Sequence, residues 1–160
     1  MLPNSASGMT RPSSAAKGLC MTSSPPQLYA SLSVALGGGI GALLRYQLGR
    51  MLTLALGPQV MLGFPWATLV ANVLGSLGMG LLAGWLARHG PDLGDGGEQM
   101  RLLVGVGLLG GFTTFSSFSL EMMLLMDRGD NALAFIYGSV SIMAGLAGLY
   151  IGLITMRLFG

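Results

Sequence analysis

Charge is what this chain has least of. Asp, Glu, Lys and Arg make up 9% of its 160 residues, against about 25% in ordinary globular domains, which argues against a water-soluble fold. With 8 basic and 6 acidic side chains, the net charge of +2 is too small and too scattered to be the footprint of a nucleic-acid binder. The single cysteine, Cys20, excludes an internal disulfide, and the single histidine, His89, excludes a multi-histidine metal site. His89 also falls in a polar connector, so a serine protease working inside the membrane would have no general base beside its nucleophile. In place of charge the chain carries 52% hydrophobic residues, 27 glycines and 12 methionines. The fold class this implies is an all-α membrane protein.

A helix crosses the hydrocarbon core with about 20 mostly apolar residues, rising about 1.5 Å per residue. Four runs of that kind are present. The first is Leu28 to Leu44, extended past Arg45 to about Gly49. The second, Trp66 to Ala87, follows the breakers Gly57-Pro58 and Phe64-Pro65. The third starts after Arg101, reaches Leu120 and continues past Glu121 to Met126; the fourth is Asn131 to Met156. Polar connectors at Arg50 to Pro65, Arg88 to Arg101 and Asp127 to Asp130 are short enough to make successive helices antiparallel neighbours. Residues 1–26 are rich in Ser, Pro, Thr and Gly, with Arg11 and Lys17 their only charges. They are expected to be a disordered extension, with Met9 or Met21 as alternative starts, ahead of a membrane domain at 27–160. A cleaved secretory signal fits less well, because the run from Leu28 is long and ends at an arginine.

Lysine and arginine asymmetry normally sets orientation, and here it is weak. One side holds Arg11, Lys17, Arg88, Arg101 and Arg157; the other holds Arg50 and Arg128, with Arg45 nearby. Without residues 1–26 the sides are nearly balanced. Insertion in both directions, and with it an antiparallel homodimer, stands beside a single orientation with a weak signal.

Within lipid, close approach through small residues supplies much of helix association. Gly37 and Gly41, Ser76, Gly80 and Gly84, Gly107 and Gly111, and Ala144, Gly148 and Gly152 each repeat every four residues, which points to a tight bundle or dimer. Polar groups at membrane depth need partners or a water-filled path. Thr68, Asn72 and Ser76 form one such stripe at i, i+4 and i+8, and Tyr137 and Ser141 a shorter one. The Asn72 amide serves equally well as an anion donor or as an interhelical hydrogen bond.

The densest signal is GLLGGFTTFSSFSLE, Gly107 to Glu121. Adjacent glycines followed by five hydroxyl residues make a poor continuous helix, so a break is expected near Gly110 to Thr114. Such backbone is tolerated at depth only inside protein or along a cavity, where freed carbonyls can coordinate a cation. Phe115 and Phe118 share a helical face beyond it. Their ring edges are electropositive and can meet a small anion, although a phenylalanine stripe is also ordinary packing. Glu121 reads either as a structural partner for an arginine or hydroxyl, or as a proton carrier.

These residues resemble a known family. GGGIGALLRY (Gly37 to Tyr46), ATLVANVLGSLGMGLL (Ala67 to Leu82) and GGFTTFSSFSLE (Gly110 to Glu121), in that order on successive helices, look like the signatures of the CrcB/Fluc fluoride channels. The resemblance covers roughly Leu28 to Gly160 and implies four transmembrane helices, the third broken, assembled as an antiparallel dual-topology homodimer in the plasma membrane, the bacterial inner membrane. It implies passive electrodiffusion of cytoplasmic fluoride outward and no enzymatic activity. By the same resemblance Phe115, Phe118 and Asn72 line the fluoride path, with Thr68, Ser116, Tyr137 and Ser141 along or beside it. Arg45 sits in the vestibule, and the carbonyls of Gly110 and Thr113 hold a structural sodium ion. The partners implied are fluoride, a second copy and the lipid bilayer, with no nucleic acid. A proton-coupled multidrug transporter of similar size would need an acidic residue in the first helix, where only Arg45 is charged. A purely structural subunit would leave the hydroxyls and phenylalanines of the third helix unexplained.

Overall fold

The computed structural model describes residues 27–159; the disorder expected for residues 1–26 lies outside them. The first helix, α1 (Gln27–Leu56), leads into the short α2 (Pro58–Gly63), the long α3 (Trp66–Leu93) and the short α4 (Asp95–Met100). A π-helical segment, Arg101–Leu109, then passes into a single turn, α5 (Gly110–Phe112), before α6 (Phe115–Asp127) and α7 (Asn131–Phe159). Four spans, Gln27–Leu56, Trp66–Leu93, Asp95–Asp127 and Asn131–Phe159, are long and apolar enough to cross a membrane.

Two of the connectors read as polar linkers are largely helical. Past Arg50, α1 runs on to Leu56 and stops at Gly57, whose φ of +86° a side chain rarely adopts. Past Arg88, α3 continues to Leu93, through Pro91, and ends at Gly94 with φ +51°. The third span starts at Asp95 rather than after Arg101. Asp95 and Glu98 lie in the first turn of α4, where negative charge favours the helix dipole, and Glu98 pairs with Arg101 at 2.7 Å. Polar residues mark where the lipid ends; the helix goes on until its hydrogen bonds are capped. The Asp127 to Asp130 connector is a short turn. Asp130 N–H bonds the Leu125 carbonyl and Gly129 N–H that of Met126, with Gly129 at φ +85°, which closes the end of α6 in a Schellman pattern.

The small-residue repeats pair up. Gly37 and Gly41 of α1 lie on the backbone of Leu103, Gly107, Leu108 and Phe112 in the third span. Gly80 of α3 faces the carbonyl of Leu149, and Gly152 of α7 that of Leu77. The bundle is thus two tight pairs, first with third and second with fourth. The π-helical segment belongs to the first pair and buries Gly105 and Gly107. A hydrophobic core of Leu69, Leu125, Ala134 and Tyr137 fills the space between α3, α6 and α7, with Phe64, Phe118 and Met122 against it.

Candidate functional site

Halfway along the third span the backbone leaves the helix. Thr113 (φ −81°, ψ 159°) and Thr114 (φ −153°, ψ 121°) are extended. The Thr114 N–H, which would reach the Gly110 carbonyl in a continuous helix, donates instead to Asn72 Oδ1 at 2.8 Å, and Asn72 Nδ2 donates to the Thr114 carbonyl at 3.1 Å. One side chain of α3 thereby bonds both backbone groups of Thr114 and satisfies its N–H, which has no helical acceptor, a requirement at membrane depth. Thr114 Oγ1 in turn accepts from the Ser117 N–H and caps α6. The interhelical reading of Asn72 is therefore realised, and the pairing leaves its second amide N–H over.

Beside this junction lies a cavity of about 300 Å³ lined by Asn72, Ser76, Thr113, Thr114, Phe115, Phe118, Ser141 and Ile142. Ser141 Oγ is buried and makes no well-formed hydrogen bond, although it interacts with the Tyr137 hydroxyl one turn away. A buried hydroxyl without a well-formed bond can turn its hydrogen toward an acceptor. Phe118 packs at a tilt on Tyr137, ring centroids 5.2 Å apart, and Tyr137 in turn makes a T-shaped contact with Phe64 at 5.4 Å. Phe115 lies 5.8 Å from Phe118 and remains 80% exposed.

One turn further along α3, α6 and α7 stands a second polar cluster. Glu121 accepts from Thr68 Oγ1 through Oε1 and from the Tyr137 hydroxyl through Oε2, each at 2.7 Å. Both donors are buried, so the carboxylate serves as a shared acceptor for two hydroxyls, one of the two roles open to it in the sequence.

Of the residues singled out from the sequence, the structure brings Asn72, Phe115, Phe118, Ser141 and Thr113 onto one cavity, with Thr68 and Tyr137 one turn away. Ser116 is exposed, its hydroxyl 3.2 Å from Thr114 Oγ1, and it does not line that cavity. Arg45 lines a separate cavity of about 490 Å³ with Tyr46, Arg50 and Thr53. The hydroxyls of Thr113 and Ser119 are spent on carbonyls of their own helix. Ser76 on the cavity wall was visible in the polar stripe, whereas Phe64, hidden in a Phe-Pro breaker, gave no signal of its place against Tyr137.

Fold and site together define a multi-pass helical membrane protein with a cavity at mid-depth that carries a few polar groups on a mostly apolar wall, an arrangement suited to passing a small solute across the bilayer. The chain belongs to the CrcB family: the family described as "CrcB-like protein, Camphor Resistance (CrcB)" matches residues 32–153. A fluoride-specific ion channel FluC of Novosphingobium aromaticivorans is 56% identical over 128 residues, 80% of this chain and 96% of the relative. One from Erythrobacter litoralis is 54% identical over 134 residues, 84% of this chain and 96% of the relative. One from Sphingopyxis alaskensis is 48% identical over 124 residues, 78% and 92% of the two chains. Four spans and this membership make it a multi-pass plasma-membrane protein.

Proposed function

We propose that the chain is a fluoride-specific channel that lets cytoplasmic fluoride leave by passive electrodiffusion. The observation that carries this reading is the mid-depth cavity where the Ser141 hydroxyl, the remaining Asn72 amide N–H and the rings of Phe115 and Phe118 converge. Fluoride holds water strongly, so it crosses only where donors and electropositive ring edges stand in for hydration without trapping it. From there Tyr137 and Thr68 continue the polar line toward Glu121. Chloride is larger and is excluded by the narrowness of such a path. No catalysis is involved: hydrogen fluoride enters from acidic surroundings, ionises inside, and the membrane potential drives the anion out.

The functional unit in this reading is an antiparallel homodimer. Phe115 is 80% exposed at membrane depth beside the cavity, and an anion path with a wall open to lipid would fail, so a second copy must cover it. The break at Thr113 and Thr114 fits a sodium ion at the dimer centre. Carbonyls of a last helical turn have no intrahelical donor, Gly110 belongs to that turn, and its usual donor is turned to Asn72. Neutral carbonyl oxygens such as those of Gly110 and Thr113 suit a hard cation. When bound, sodium supplies a fixed positive charge and ties the break together. Arg45 in its own cavity raises the local concentration of anions at the vestibule.

The test is efflux from liposomes followed with a fluoride electrode. Purified protein is expected to release fluoride but not chloride, Phe115→Ile to lower the release at least tenfold while the assembly still elutes as wild type does, and Asn72→Asp, which also loses the donor to the Thr114 carbonyl, to lower the release at least as far. Wild-type vesicles that retain fluoride reject the channel.

A further inference from the structure

Arg128 has no part in the path described so far. It caps the end of α6, at i+7 from Glu121 and so on the same face, roughly 10 Å further along the axis. Between the two lies a cavity of about 110 Å³ whose walls include Glu121, Leu124 and Arg128 from α6 and Leu62 and Pro65 from the connector before α3. Arg128 Nη1 donates to the Leu62 carbonyl at 3.0 Å, which ties the short α2 down across the cavity; the guanidinium keeps its other N–H donors. The Arg101–Glu98 salt bridge lies elsewhere, and the carboxylates beside Arg128 in the chain are Asp127 and Asp130 of the turn that closes α6.

We infer that this cavity is the outer portal of the anion path on the side where α6 ends and α7 begins, and that Arg128 offsets Glu121 there while holding the portal's cover in place. The inference rests on the fluoride reading. An anion leaving Tyr137 and Thr68 for this side meets the Glu121 carboxylate, to which both of those hydroxyls are turned. A carboxylate repels an anion in a confined space, and a passage past it needs a cation facing the same space. Arg128 is the one cation lining that cavity. The cover is α2, bounded by Gly57 at φ +86° and by the Phe64-Pro65 pair. Its other anchor is the ring of Phe64, edge-on to Tyr137, so the same tyrosine that bonds Glu121 also seats the cover.

The experiment compares fluoride efflux from liposomes holding wild type, Arg128→Lys, Arg128→Gln or Arg128→Glu, at about 0.1 M and about 1 M of an impermeant salt. At low salt the rates are expected to fall in that order over about tenfold. At high salt the spread should narrow, because the screening length shrinks from about 10 Å to about 3 Å. A purely structural arginine would give losses that salt does not move, and that result overturns the inference, as does equal flux from wild type and Arg128→Glu at low salt. Arg128→Lys keeps the charge and controls for folding. Leu124→Trp, which fills the cavity without touching charge, should cut flux at both salt concentrations; undiminished flux through it is equally fatal. Wild type that retains fluoride brings down the channel reading as well, whereas a conducting wild type with indifferent Arg128 variants brings down this inference alone.

Discussion

Glu121 shows how one side chain organises three helices. Its two oxygens take the hydroxyls of Thr68 on α3 and Tyr137 on α7, and neither hydroxyl has water to fall back on, Thr68 being 6% and Tyr137 0% exposed. Leaving a buried donor without its acceptor costs about 1–3 kcal/mol. Glu121→Ala orphans two of them at once and is expected to lower the apparent melting temperature in detergent by several degrees; Glu121→Gln keeps an acceptor and should lose less. Equal melting of both variants and wild type would show that the carboxylate holds nothing. The sequence left Glu121 open between a structural partner and a proton carrier, because the choice depends on residues 53 and 16 positions away. Asn72 was open for the same reason, its partner lying 42 positions distant.

Among the elements, the glycine repeats were legible because helical spacing alone puts them on one face; which face meets which was not. The structure sets Gly41 against the Leu108 carbonyl and Gly80 against that of Leu149. Backbone cannot swing aside as a flexible side chain does, so a Cβ at either position forces its helix pair apart. Gly41→Val and Gly80→Val are expected to abolish the monodisperse peak on gel filtration. Gly39→Ala, with nothing within 4 Å of the added carbon, should elute unchanged or be slightly stabilised by about 1 kcal/mol of helix propensity. If Gly41→Val assembles normally, the tight pairing of first and third spans is wrong. Helix ends were the least legible feature. Hydropathy falls at Arg50 and Arg88 while the helices run to Leu56 and Leu93, because a helix's backbone hydrogen bonds form in water as well as in lipid and stop only where the chain is capped. The π-helical segment had no marker beyond Gly105 and Gly107.

At the scale of the whole molecule, the described arginines divide evenly. Arg88, Arg101 and Arg157 lie near one membrane face and Arg45, Arg50 and Arg128 near the other. Orientation follows the excess of basic residues near span ends, and among the described residues neither side has one. A tag on the C-terminus is expected to be reached by an impermeant reagent in roughly half of the molecules from each side of the membrane. Labelling from one side alone would remove the antiparallel dimer and, with it, the account of what covers Phe115. In that dimer each membrane face receives one copy of the Arg128 portal, so the two faces become equivalent.

The amino-acid sequence by itself determined where this chain lives and how often it crosses: composition and runs of apolar residues record contact with lipid, and that contact is a one-dimensional property. It also placed the stripes of glycine and hydroxyl residues, since a face follows from spacing along one helix. Tertiary structure alone decided the pairings, with Asn72 mending the backbone at Thr114, Glu121 holding Thr68 and Tyr137, and Arg128 tying down Leu62. Such bonds depend on how far each helix is rotated and slid against its neighbour, which the summed shapes of many side chains set and no single stretch of sequence records.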